Sequence, residues 1–193
     1  MKIAIIVFPG SNCDRDSQVA VRACLECEPS MVWHADTHMD KFDLIIIPGG
    51  FSYGDYLRSG ALAAHSPIMR EVVRQAELGV PTLGICNGFQ VLTETGLLPG
   101  ALIRNSNLKF ICKNVWIRVE NNTTIFTSSY SRNDKISIPI AHRDGNYYAD
   151  KDTLNRLNSE NRIAFRYVDV DGMETSESNP NGSSESIAGI YNK

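Results

Sequence analysis

Between Val80 and Gly96 the hydrophobic period of the chain changes at a single residue, Cys86. The short apolar run Val80 to Ile85 reaches it, and Asn87-Gly-Phe-Gln90-Val-Leu-Thr-Glu-Thr-Gly96 continues at once with helical spacing. That change predicts a buried strand that turns directly into a helix. Gly84, Cys86 and Gly88 spell G-x-C-x-G, the thiol counterpart of the nucleophile elbow G-x-S-x-G. A residue at such a corner is strained, and neighbours carrying a Cβ would clash there. The corner sets the Cys86 sulfur at a helix N-terminus, where free N–H groups and the helix dipole favour a thiolate. A buried cysteine closing a core strand is the competing reading. Placement between strand and helix favours a nucleophile.

With 193 residues the chain is expected to form one domain over 1–193, large enough for a three-layer core. Its net charge is −3 and it has no basic cluster, which argues against nucleic acid and anionic membranes as partners. The longest apolar run, around Leu44 to Ile47, is strand-sized and too short to span a membrane. Met1-Lys2-Ile3-Ala4-Ile5 opens straight into a strand and leaves no room for a signal peptide. Five cysteines, at 13, 24, 27, 86 and 112, are an odd number. Cys24 and Cys27 lie three apart on a helical face, which reads as packing rather than a zinc site, and no metal site is expected. These features place the chain in a reducing, cytoplasmic compartment.

The rest of the first half follows one grammar. Ile3 to Phe8 and Leu44 to Ile47 are continuous apolar runs of the kind buried on both faces of a parallel sheet. A helix to about Cys27 is expected between them, capped by Ser11 or Asp14, with Val19, Cys24 and Leu25 inward and Arg15, Asp16 and Arg22 wet. Ser30 to His34 adds a strand, and Ser66-Pro67 opens a helix to about Leu78. The sequence of elements predicts an α/β fold: an open, doubly wound, flavodoxin-like and mostly parallel sheet with helices on both faces. After Gly96 the texture changes. Leu108 to Val119 reads as one or two strands, Ile136 to Ala141, Ile163 to Val168 and Ile187 to Tyr191 as strands, and Thr153 to Leu157 as a helical turn. Asp169 to Ser186, rich in Ser, Asn and Gly, reads as a surface loop or a linker.

Ligands of open α/β sheets collect beyond the C-terminal strand ends, where Pro9 to Asp14, Pro48 to Arg58 and the Cys86 corner are expected. In Pro48-Gly-Gly-Phe-Ser-Tyr-Gly-Asp-Tyr-Leu-Arg58 the paired glycines let backbone N–H groups approach a ligand. An acyl-transfer nucleophile needs such donors for its oxyanion, each worth about 3 to 4 kcal/mol of barrier. The natural pair is the N–H of Gly50 and that of Asn87. Asp55 and Arg58 are placed to position a ligand or to pair with each other, and Phe51, Tyr53 and Tyr56 to form a hydrophobic cover.

Gly84-Ile-Cys86-Asn-Gly88-Phe-Gln90 after Pro48-Gly-Gly50 resembles the class I, triad-type glutamine amidotransferases. Phe8-Pro-Gly-Ser-Asn-Cys-Asp14, the 48–58 string, Gly96-Leu-Leu-Pro-Gly100, Pro139-Ile-Ala-His142 and Asn179-Pro-Asn-Gly-Ser183 are similar to the glutaminase subunits of phosphoribosylformylglycinamidine synthase. The resemblance implies that Cys86 attacks the side-chain amide of L-glutamine and releases ammonia through a γ-glutamyl thioester. It implies an oxyanion hole of Gly50 and Asn87, with Gly49, Phe51 and Gln90 at the substrate. It implies a large synthetase subunit that uses ATP and Mg to aminate formylglycinamide ribonucleotide, a small bridging subunit, and no cofactor in this chain.

The departures from that family are specific. Its catalytic His and Glu lie in a Pro-His-Pro-Glu segment that the 193 residues do not contain. His34, His38 and His65 read as surface or capping residues, and His142 as a residue whose string lies near the site mouth. At His142-Arg143-Asp144-Gly145 the family pattern is His-Gly-Glu-Gly, so Arg143 adds bulk at a turn. The chain alone is therefore expected to be poorly active or inactive. The alternatives are a non-catalytic partner that keeps fold and docking surface, and another elbow-cysteine hydrolase.

Overall fold

The computed structural model describes residues 1–193, and the chain divides into two compact units, Met1–Leu97 and Leu98–Lys193. In the first, the strands are β1 (Ile3–Val7), β2 (Ser30–Trp33), β3 (Leu44–Ile47) and β4 (Thr82–Gly84). The helices are α1 (Asp14–Leu25), α2 (Ala61–Ala64), α3 (Met69–Glu77) and α4 (Asn87–Glu94). All strand pairs are parallel, in the order β2-β1-β3-β4. The β1-to-β2 and β3-to-β4 crossovers step in opposite directions along the sheet, so right-handed connections put their helices on opposite faces. Alternate residues of β1 serve the two layers. Ile3 and Ile5 pack with Val21 and Ile46, while Ala4 and Ile6, pointing the other way, are also fully buried.

The inward face of α1 differs from the expected one. Val21 is the buried residue, whereas Val19 is 60% exposed and Cys24 and Leu25 also face solvent. Of the cysteine pair, Cys27 alone packs on the core. The half-buried residues Asp14, Ser17 and Gln18 complete, with Val21, an i, i+3, i+4, i+7 stripe. Its polar members hid the stripe from a hydrophobic count. No side chain caps α1: Cys13 leads it, its carbonyl accepting from the Ser17 N–H at 3.0 Å, and the Ser11 hydroxyl donates instead to the Gly49 carbonyl at 3.2 Å. The short α2 was not anticipated, and the helix foreseen from Ser66 begins at Met69.

In the second unit the strands turn antiparallel. β5 (Ala101–Ile103) pairs with β8 (Asn146–Tyr148). β6 (Ile111–Val119), β7 (Lys135–His142), β9 (Ile163–Val168) and β10 (Ile187–Ile190) form a sheet of order β10-β9-β6-β7. Leu108 to Val119 thus yields one strand, and Pro139, which has no N–H to give, lies on the edge strand β7. Val115, Ile117, Ile140 and Tyr167 centre the core. Thr153 to Leu157 belongs to a longer helix, α5 (Lys151–Ser159), whose cap Asp150 accepts the Thr153 N–H at 2.7 Å. The polar stretch before β10 is anchored: Asn181 is fully buried and donates to the Gly145 carbonyl at 2.8 Å and to His142 Nε2 at 3.2 Å. Arg143 is not among the left-handed residues, so the turn between β7 and β8 asks nothing of it that glycine alone supplies. Gly145 is the position that tolerates no side chain, because a Cβ there would run into the His142 ring.

Candidate active site

Cys86 sits between β4 and α4 at φ 54°, ψ −107°, a left-handed backbone that costs a non-glycine residue about 1 to 3 kcal/mol. Its flanking glycines are required by close approach rather than by φ. A Cβ on Gly84 would lie 2.6 Å from the Gly88 carbonyl oxygen, and one on Gly88 would run into the carbonyl of Ile47 on β3. The helix is therefore pressed against the sheet end, and the corner is held from both sides.

The backbone N–H groups of Asn87 and Gly50 both act to lower the pKa of the Cys86 thiol. Gly50 has φ 128°, and a Cβ there would lie 2.8 Å from both the backbone N and the Oδ1 of Asn12, so loops 9–13 and 48–55 meet at this residue. Gly49 packs against the corner as well; a Cβ on it would stand 3.4 Å from the Cys86 Cβ and 3.7 Å from the Cys13 Cβ. Cys13 is thus a neighbour of the candidate nucleophile, a proximity that no local pattern signals.

The electrostatics run against the thiolate expectation. Burial pushes the Cys86 thiol above its ordinary 9.0, and the thiol of Cys13 and the carboxylate of Asp55 push the same way; the two N–H donors offset part of this. Cys86 keeps an exposed face, yet the protein atoms crowded around its sulfur dominate. Burial raises the Cys13 thiol too, helped by Asp16 and Asp14.

Gln90, expected at the substrate, is 7% exposed, and its Oε1 accepts from Asn87 Nδ2 at 2.8 Å. Asn87 Oδ1 in turn accepts the Ser52 N–H at 3.2 Å. The Gln90–Asn87–Ser52 chain ties the first turn of α4 to the 48–58 loop. The Ser52 hydroxyl is buried without a hydrogen-bond partner. Phe51 is 45% and Tyr56 89% exposed, so both stay available at the surface. Tyr53 does not join them: its hydroxyl meets His34 Nδ1 at 2.7 Å and Ser66 Oγ at 2.8 Å. This corrects the reading of His34 as a surface or capping residue. Arg58 pairs with Glu94, through contacts of 2.6 and 2.7 Å, rather than with Asp55. His142, held by Asn181, has its pKa lowered by burial, with Asp144 opposing. No helix is long and apolar enough to cross a membrane.

A glutamine amidotransferase of Thermotoga maritima shares the fold at 15% identity, with TM-score 0.54 over 78% of this chain and 64% of its own. Residues 1–193 match the CobB/CobQ-like glutamine amidotransferase domain, and the chain belongs to that family. It is 55% identical over 194 residues to phosphoribosylformylglycinamidine synthase subunit PurQ of Zymomonas mobilis, covering 100% of this chain and 84% of that protein. The structure of PurLQS from Thermotoga maritima contains a chain 46% identical to it, with TM-score 0.85 over 100% of this chain and 82% of that one.

Proposed function

We propose that this chain is the glutaminase subunit of a phosphoribosylformylglycinamidine synthase, a single amidotransferase domain that hydrolyses L-glutamine to glutamate and ammonia. The observation that carries the reading is a strained elbow cysteine held between close-packed glycines, with the Pro48-Gly49-Gly50 loop packed against it and the Gly50 and Asn87 N–H groups acting on its thiol. Backbone donors beside the nucleophile are where the oxygen of a carbonyl it attacks would be received. Cys86 adds to the side-chain amide carbon, the oxyanion forms against the two N–H groups, and the C–N bond breaks as the nitrogen is protonated. Water then cleaves the thioester. Gly49 and Phe51 border the substrate, and Gln90 acts from beneath by fixing Asn87.

The PurLQS structure, in which a relative of this chain sits, supports assembly with further synthase subunits. In this reading ammonia passes to a synthetase subunit that uses ATP and Mg to convert formylglycinamide to formylglycinamidine ribonucleotide, with a small subunit bridging the two in the cytoplasm. Proton transfer is the step these residues serve least. The groups that most perturb the Cys86 thiol include no histidine, and ammonia is a poor leaving group without an acid. The 193 residues alone are therefore expected to turn over slowly, and the raised thiol is the observation that favours a non-catalytic partner as second reading.

A glutamine-like chloroketone decides whether the site binds and attacks. The wild-type chain should gain one adduct, mapped to Cys86, and Cys86→Ala should gain none there. Adduct on other cysteines alone would refute the glutaminase reading. Ammonia release by the isolated chain at the rate of an assembled synthase would refute slow turnover.

A further inference from the structure

We propose that Tyr53, tethered by His34 and Ser66, is a positioning residue that aims the Gly50 N–H at the oxyanion; the inference rests on the glutaminase reading. The loop after Gly50 has an unusual backbone. Tyr53 (φ 54°, ψ 24°), Gly54 (φ 69°, ψ 13°) and Asp55 (φ 51°) are left-handed in succession. Left-handed backbone is unfavourable for tyrosine and aspartate, so contacts from outside the loop must hold it. Gly50, at φ 128° with no side chain, resists a turn of its own peptide less than any other residue would, so the loop that follows helps set its direction.

The holding contacts surround Tyr53. Its N–H donates to the Pro9 carbonyl at 2.6 Å, and the Gly54 N–H to the Phe51 carbonyl at 2.8 Å. The phenol reaches His34 Nδ1 at 2.7 Å and Ser66 Oγ at 2.8 Å, and can donate to one while accepting from the other. Both partners stand on rigid backbone. The His34 N–H donates to the Val7 carbonyl at the end of β1, and the Ile68 N–H, just before α3, donates to the His34 carbonyl. The His34 ring meets Tyr53 edge-on at 5.5 Å and Trp33 at 4.5 Å. Ser66 is 4% exposed. One phenol therefore couples the strained loop to the sheet ends and to the start of α3. The Asn87 side chain holds the neighbouring residue, Ser52, at 3.2 Å. Cutting the phenol tether frees the far side of the loop, so it relaxes toward right-handed backbone and the Gly50 N–H loses its aim at the nucleophile.

The experiment uses the full chain with Tyr53→Phe, which keeps the ring, and Ser66→Ala. Three readouts are compared with wild type: amide exchange over residues 50–55, alkylation of Cys86 by iodoacetamide, and saturation kinetics of its modification by a glutamine-like chloroketone. In the last, sulfur adds to the ketone, whose oxygen becomes the oxyanion, and then displaces chloride to leave a thioether. Both variants should raise exchange by about tenfold and lower the maximal inactivation rate by about tenfold, a partial loss of one oxyanion donor. The half-saturating chloroketone concentration should stay within about twofold, because binding is untouched, and the iodoacetamide rate should fall by less than the inactivation rate, because losing the N–H donor raises the thiol a little further but leaves its access unchanged. Unchanged exchange, unchanged inactivation, or an equal fall in the iodoacetamide rate would each overturn the inference alone. A wild-type chain that the chloroketone does not modify would overturn the glutaminase reading and the inference with it.

Discussion

Replacing Gln90 by alanine should damage the fold before it damages substrate binding. Gln90 and Asn87 are 7% and 2% exposed, and the Gln90 Oε1 accepts from Asn87 Nδ2 at 2.8 Å. Truncation leaves a buried amide N–H without that acceptor, at about 1 to 3 kcal/mol. The vacated volume adds about 1 kcal/mol, and the better helix propensity of alanine returns a few tenths. A net loss of about 2 to 3 kcal/mol follows, close to a 1 M shift in a urea midpoint at a slope of about 2 kcal/mol/M. Gln90→Met separates the terms, since it keeps most of the volume and removes the polar amide; it should lose about 1 to 2 kcal/mol. Urea unfolding of the three proteins is the assay. A methionine variant within about 0.5 kcal/mol of wild type would show that Asn87 needs no partner at Gln90, and the chain from α4 to Ser52 would then have no energetic content.

Alkylation of Cys86 should rise with pH through a midpoint above 9.0, the direction in which burial moves the thiol; an inflection near or below neutral pH would show that helix dipole and donors win. At neutral pH the exposed Cys24 and Cys112 should label first, as peptide mapping would show. Gly50→Ala should suppress chloroketone modification by about tenfold or more, because its Cβ meets Asn12 at 2.8 Å and the loop must shift; unchanged kinetics would remove Gly50 from the oxyanion hole. Because the pKa of His142 is lowered in the fold, the unfolded chain takes up protons first. Its contribution is full above about 6.5 and lost as pH falls through the folded value. The melting temperature of wild type should therefore drop more between pH 7.5 and 5 than that of His142→Gln, and parallel curves would refute this.

Local pattern was enough for the parallel half of the fold and for the corner at its edge. Apolar runs such as Leu44 to Ile47 declare buried strands because a short, β-branched run stopped by Pro48-Gly49-Gly50 is too brief for a helix. Gly84 and Gly88 declare the elbow because only glycine allows the observed approach of helix to sheet. Glycine pairs such as Gly49-Gly50 and the residue after an elbow are where the sequence points to backbone donors rather than side chains. Partners far apart along the chain were not legible. Asn87 meets Ser52 across 35 residues and Arg58 meets Glu94 across 36; nothing at either end alone selects the other. Packing gave the oxygen of Gln90 to Asn87, a partner no local pattern shows, and Val19 looked like core until the register of α1 turned Val21 inward. The state of the Cys86 thiol was decided the same way. Its position at a helix N-terminus is a local fact, but burial, Cys13 and Asp55 are brought to it by the fold, and desolvation outweighs the donors.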